Sequence, residues 1–285
     1  METTSQAALP IGVFDSGVGG LTVLSALQRL MPHENMIYLA DAARLPYGAK
    51  STETVKGYTL EAARYLLEQN IKALVIACNT ATAAALGILR ETFPQLPILG
   101  VIAPGAKAAV GVAGEGTVLV LATEGTIANG AYTRAIQSLS PNTTVIGVPC
   151  PLFVPLAEEG WGGGEKSPHA KAEHDIVKAV AERYISDYFA TPSAPNCVLL
   201  GCTHYPHLEP IIREVVGETV GMVDSAKTTA EAVYSLLQEK NLLNPQGALG
   251  EKRFLTTDSP ARFKRVGSAF LHEPIADEAL QLIKF

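Results

Sequence analysis

Cysteine is scarce in this chain, charge is low and no long apolar run occurs, and each shortage narrows what the protein does. Four cysteines (Cys78, Cys150, Cys197 and Cys202) among 285 residues are too few for a disulfide framework, and a reducing compartment would keep them as thiols. Charged residues make up only 18% of the chain and the balance is acidic, at a formal net charge of -6, which argues against a nucleic-acid partner. No apolar stretch approaches the ~18 residues of a membrane-spanning helix, so no membrane partner is expected. The leading METTSQAALP lacks the basic-then-apolar pattern of a secretory signal, and the expected location is the cytoplasm. What the chain does have is apolar surface, at 47% hydrophobic residues, enough for a large core. Its length suits about two domains of ~150 residues each.

Short apolar runs alternate with longer stretches of helical spacing, which is the signature of βαβ units and a mostly parallel sheet. Strands are predicted at Ile11–Phe14, Met36–Leu39, Ala73–Ala77, Ile98–Val101, Val118–Ala122, Thr144–Val148, Val198–Gly201 and Val220–Val223. Helices are predicted at Leu21–Leu30, Glu53–Gln69, Ala81–Leu89, Ala128–Leu139, His169–Phe189 and Thr228–Gln238. IGVFDSGVGGLTV and TVLVLATEGTIAN both run strand, Gly-containing polar turn, helix, and each precedes a later strand ending in cysteine. The expected fold is therefore α/β, with two similar domains, each a mostly parallel sheet flanked by helices. Residues 1–101 with 210–285 would form a discontinuous first domain and residues 102–209 the second, the active site lying in the cleft between them.

The two cysteine-terminated segments are the most informative feature. ALVIACNT ends in Cys78, Asn79 and Thr80, and CVLLGCTH ends in Cys202, Thr203 and His204. An apolar run ending in a nucleophile before a helix describes a strand tip, where α/β sheets place ligands. Two such thiols suit chemistry needing an acid and a base on opposite faces of a small molecule. Cys150 and Cys197 lack a polar companion pair and read as ordinary buried cysteines. His204, two residues from Cys202, can lower the thiol's pKa or relay its proton. The alternative of Cys78, Cys202 and His204 as zinc ligands fails on spacing, since Cys-x-His is not a usual ligand pair and no second pair appears. No metal is expected.

Asp15-Ser16-Gly17-Val18-Gly19-Gly20 follows a strand and precedes a helix. As a dinucleotide loop, with Asp41 at the end of the next strand in the place of a ribose-binding acid, it fails, because Thr22 stands where the third glycine belongs and Asp15 would crowd a pyrophosphate. The better reading is a tight turn whose N–H groups and Ser16 hydroxyl hold a carboxylate, with Asp15 beside it. Pro46-Tyr47-Gly48 lies at the same sheet edge and reads as a turn or a binding loop. Thr123 and Thr126 stand where Asp15 and Ser16 stand in the first half, and both helix capping and ligand contact fit them. Glu158 and Glu159 fit either a solvated face or contact with an ammonium group. The Gly160–Pro168 segment reads as a surface loop, with a lid or subunit contact through Trp161 as the alternative.

Taken together, DSGVGGLTV, PYG, ACNTA, the ATxxTI stretch with Thr123 and Thr126, FVPL, GCTHYP and TTDSPARFKRVGSAFL at Thr256–Leu271 resemble bacterial glutamate racemases, in that order and over nearly the whole chain. Aspartate and hydantoin racemases share the two-cysteine plan but differ around these motifs. The resemblance implies a cofactor-independent enzyme that interconverts L- and D-glutamate for peptidoglycan synthesis, commonly as a homodimer. It implies Cys78 and Cys202 as the catalytic acid/base pair, Cys78 taking the α-proton of D-glutamate and Cys202 that of L-glutamate. Asp15 and His204 would assist them. The implied substrate contacts are Asp15, Ser16, Pro46, Tyr47, Gly48, Asn79, Thr80, Thr123, Thr126, Thr203 and His204. One departure is Asp41-Ala42-Ala43-Arg44, where the family often has a hydroxyl at position 42. A racemase of aspartate or another amino acid is the competing enzyme, and a non-catalytic amino-acid-binding protein the competing class.

Overall fold

The computed structural model describes residues 6–162, 167–191, 193–245 and 247–285. The chain divides into two compact units, one of Met1–Val101 with Ala226–Phe285 and the other of Ile102–Ser225.

The first unit begins with β1 (Ile11–Asp15), α1 (Leu21–Leu30), β2 (Met36–Ala40), α2 (Thr52–Glu68), β3 (Ala73–Ile76), α3 (Asn79–Thr92) and β4 (Ile98–Gly100). The second unit follows with α4 (Ile102–Ala113), β5 (Thr117–Ala122), α5 (Glu124–Asn129), α6 (Ala131–Leu139), β6 (Thr144–Pro149), α7 (Phe153–Glu158), α8 (Ala170–Phe189), β7 (Cys197–Gly201), α9 (Glu209–Val216) and β8 (Gly221–Asp224). α10 (Ser225–Glu239) then leads back to the first unit, which ends with β9 (Lys252–Thr256), α11 (Pro260–Leu271) and β10 (Leu280–Leu282).

The first unit holds a parallel sheet in the order β10-β9-β2-β1-β3-β4, and the second a parallel sheet in the order β6-β5-β7-β8. In β2-β1-β3-β4, as in β6-β5-β7-β8, the first strand of the unit has the second on one side and the third and fourth on the other. This shared order is the duplication expected from the two strand–turn–helix segments. β1, β2, β3 and β7 are buried along their whole length, which explains why each reads as a continuous apolar run rather than an alternating one.

Each of the eight expected strands has an observed counterpart, while β9 and β10 were not anticipated. β9 carries Lys252 and Arg253 at its start, and β10 is three residues long and half exposed, so neither shows the apolar run of a central strand. The expected helix over Ala128–Leu139 is divided instead, because Gly130 adopts the left-handed conformation at φ 70° and separates α5 from α6. The return to the first unit falls at Ala226, later than residue 210: α9 packs on α8 and β8 pairs with β7, so both belong with the second sheet. Of the Gly160–Pro168 segment, residues 163–166 lie outside the described residues.

Just before the amino-terminal ends of β2 and β3 sits a buried ion pair. Lys72 bonds the Glu34 carboxylate and the carbonyl of Ala7, and Glu34 also accepts from the Asn244 amide at 2.7 Å. The pair ties four distant segments of the first unit together.

Candidate active site

In the first unit, the residues of interest gather at the carboxyl ends of β1, β2 and β3. β1 ends at Asp15, which is buried, and its Oδ2 accepts from the Gly17 amide at 2.8 Å. Tyr38 on β2 donates its hydroxyl to the Gly17 carbonyl at 2.8 Å, so the turn after β1 is pinned from both sides. Gly20 is required by the packing there: a Cβ would lie 2.5 Å from Asp15 Cβ and 2.9 Å from Tyr38 Oη. Burial, and after it the negative charge of Asp15, pushes the Tyr38 pKa well up, so the hydroxyl stays a donor.

β3 delivers Cys78 to the N-cap of α3, where its sulfur accepts from the Ala81 amide at 3.4 Å. A helix N-terminus suits an anionic sulfur, because the unpaired N–H groups point toward it. Ser16 Oγ lies 3.6 Å from Cys78 Sγ, and Asn79 and Thr80 occupy the first turn of α3, both buried. Asp15, Ser16, Cys78, Asn79 and Thr80 are thus brought together as the sequence suggests.

Pro46, Tyr47 and Gly48 follow β2, but Tyr47 does not present its side chain to an open site. Its ring is buried beside Phe14 and Tyr58, and its hydroxyl donates to Asp41 Oδ2 at 2.5 Å. The Tyr47 side chain is therefore part of the packing around Asp41. Asp41 is the residue that sequence reasoning set aside together with the dinucleotide loop. Besides Tyr47, its carboxylate accepts from Arg44 Nε at 2.6 Å and from Thr257 Oγ1 at 3.0 Å. With those lone pairs taken, it is an internal anchor and not a ribose ligand. An acid at the tip of the second strand, on the same sheet edge as Asp15, was the signal available for it.

In the second unit the same strand positions carry a different set of groups. Thr123, at the end of β5, caps α5 by accepting from the Thr126 amide at 3.4 Å, and the two hydroxyls are 3.0 Å apart. β5 and β7 run in register at Ala122 and Gly201, which places Thr123 beside Cys202 at the sheet's carboxyl edge. Cys202, Thr203 and His204 are all buried. His204 Nδ1 lies 3.8 Å from Cys202 Sγ, and its Nε2 lies 3.0 Å from Glu158 Oε1 at the end of α7. Burial opposes charge on the imidazole, but the hydrogen bonds to Cys202 and Glu158 outweigh it and hold the pKa up at about 10.

Glu158 thus meets an imidazole, which neither reading of the sequence named, while Glu159 is exposed. The turn is braced from below, where Tyr205 donates to the Cys150 carbonyl at 2.8 Å and stacks edge-on against Phe153. Cys150 and Cys197 are fully buried, and burial pushes the Cys197 thiol up to about 12, out of reach of ordinary acid–base work. Among the described residues, no group of three or more His, Cys, Asp or Glu is arranged to hold a metal.

Each unit therefore carries one thiol at the tip of its third strand, braced by a helix N-terminus in one case and by a His–Glu pair in the other. The sequence pattern of the Asp/Glu/Hydantoin racemase family matches residues 21–233, and the chain belongs to that family. A glutamate racemase of Geobacter metallireducens is 45% identical over 267 residues, covering 94% of both chains. The crystal structure of glutamate racemase from Francisella tularensis in complex with D-glutamate superposes with a TM-score of 0.86 at 37% identity, over 98% of each chain. That of glutamate racemase from Thermus thermophilus in complex with β-chloro-D-alanine gives 0.84 at 39% identity, again over 98% of each.

Proposed function

We propose that this protein is a glutamate racemase that interconverts L- and D-glutamate through two cysteines, Cys78 and Cys202, and so supplies D-glutamate for peptidoglycan. The observation that carries the reading is the recurrence of a strand-tip thiol, each with its own charge-stabilising partner, in two units of the same strand order. The relatives named as glutamate racemases at high coverage support glutamate as the substrate.

Inversion at an α-carbon removes a weakly acidic proton from one face and returns one to the other. In the L-to-D direction Cys202 is the thiolate that takes the proton and Cys78 the thiol that gives one. In the reverse direction the roles exchange. One thiolate accepts the departing proton and the other thiol donates its replacement, so the proposal calls on no cofactor. General acid–base catalysis contributes about 10²–10⁴-fold, which leaves most of the barrier to groups that hold the α-carboxylate as negative charge grows on it. Asn79, Thr80 and Thr203, with the backbone N–H groups of the Tyr47–Gly48 segment and the Ser16 turn, fill that role in this reading. Thr123 and Thr126 take the substrate on the Cys202 side. Asp15 assists Cys78, and the Glu158–His204 pair holds positive charge beside Cys202 while it is thiolate and passes it a proton when the thiol is to be restored.

Among the described residues, no helix is long and apolar enough to cross a membrane. A cytoplasmic homodimer completes the proposal, and sedimentation of the purified protein reads its assembly. The substrate assignment is tested by circular dichroism with L-glutamate and L-aspartate in parallel. Decay of the glutamate signal alone is expected. Decay with aspartate alone would transfer the assignment to an aspartate racemase, and glutamate binding without decay would leave a binding protein.

A further inference from the structure

The backbone of the Tyr47–Gly48 segment is held from a direction that no motif marks. Tyr47 is pegged to Asp41, and Asp41 is aimed by Arg44 and Thr257. Arg44 is itself clamped. Its guanidinium carbon lies 4.1 Å from the ring centroid of Tyr58 on α2 and 4.7 Å from that of Phe285. It also bridges to Glu61, one turn along α2. Phe285 lies just beyond β10, its place set by Ile283, which is buried and whose amide continues the pairing with Thr256 at 2.9 Å. A planar guanidinium between two ring faces loses its freedom to rotate, which suits a residue that must aim one N–H at a carboxylate.

We propose that Phe285 and Tyr58, by sandwiching Arg44, are positioning residues for the substrate-binding segment at Tyr47–Gly48. The clamp rests on the racemase reading for its effect on substrate and on geometry alone for its effect on the loop. Phe285 remains 46% exposed, so it contributes little to the core, and its removal reads out on the loop rather than on the fold.

The test compares Phe285→Ala, Phe285→Leu and Phe285→Tyr in the full chain by steady-state kinetics with glutamate and by hydrogen–deuterium exchange of the peptide spanning residues 41–50. Alanine and leucine are expected to raise KM about 2- to 5-fold with kcat changed less than about 2-fold, as loss of one exposed cation–π face implies. Both should speed exchange at residues 41–50 and leave peptides of the second unit unchanged, and tyrosine should restore both readouts. Leucine restoring KM and exchange would show that Phe285 only seals apolar surface, which overturns the proposal. Unchanged exchange in Phe285→Ala would overturn it as well. Arg44→Lys, which keeps the charge but cannot reach Asp41 and Glu61 together, should reproduce the alanine phenotype. Should the wild type fail to racemise glutamate, the functional reading falls while the exchange data still decide the clamp.

Discussion

Glu158→Gln isolates the electrostatic part of the second half-site, because it keeps the side chain's shape and hydrogen-bonding reach while removing its charge. Glu158 Oε1 lies 3.0 Å from His204 Nε2, and the two side chains are only 11% and 7% exposed, so solvent screens the pair weakly. A hydrogen bond to a charged group contributes about 1.5–3 kcal/mol, against about 0.5–1.5 for a neutral one. The substitution therefore costs about 1–2 kcal/mol, which is about a 5- to 30-fold fall in kcat/KM at about 1.36 kcal/mol per tenfold. Enantiomers have equal free energy in water, so kcat/KM must fall by the same factor in both directions, an internal control on the assay.

The pH dependence carries a sign as well. Burial opposes the imidazolium, but Cys202 and Glu158 raise its pKa to about 10. Taking the charge from Glu158 lowers that pKa toward its ordinary ~6.5, so the alkaline limb of kcat/KM moves to lower pH. Stability follows the same linkage: the folded-state pKa is raised, so the contribution of His204 is complete below about pH 6.5 and is lost as pH rises to about 10. The wild-type advantage over Glu158→Gln should thus be greatest in mild acid. Rate profiles followed by circular dichroism and urea midpoints across pH 5–10 are the measurements. An alkaline limb that stays in place, with kcat/KM undiminished, would refute the relay.

Two further substitutions probe the first unit. Gly20→Ala brings a Cβ to 2.5 Å from Asp15 Cβ, and it should destabilise by about 1–3 kcal/mol and depress kcat/KM by displacing Asp15; a wild-type urea midpoint would contradict the packing argument. Lys72→Ala strands the buried Glu34 carboxylate and should cost about 3–5 kcal/mol, with activity per folded molecule retained; a loss under about 1 kcal/mol would show the pair to be dispensable.

The two parallel sheets were legible because a strand buried on both faces writes itself as a continuous apolar run, and Cys78 and Cys202 stand at the ends of two such runs. The edge strand β10 and its neighbour β9 were not, since they are too short to pattern or carry charge. Glu158 was ambiguous for a different reason: its partner His204 lies 46 residues away, and nothing local distinguishes a carboxylate that meets an imidazole from one that meets water. The role of Asp41 was hidden for the same cause, as one of its partners, Thr257, is 216 residues distant. Tyr47 was flagged by its motif, but only packing shows that its hydroxyl faces inward to Asp41. Strand tips are local facts, whereas the groups that tune them arrive from other elements.

The central claim is that Cys78 and Cys202 are the two bases, and the most direct test is α-proton exchange in D2O. The wild type, Cys78→Ala and Cys202→Ala would each be incubated with L-glutamate and with D-glutamate, following optical rotation and α-deuterium by NMR. The account predicts loss of rotation with one deuterium entering the α-position for the wild type, and no racemisation by either folded variant. Racemisation at the wild-type rate with either cysteine removed would contradict it.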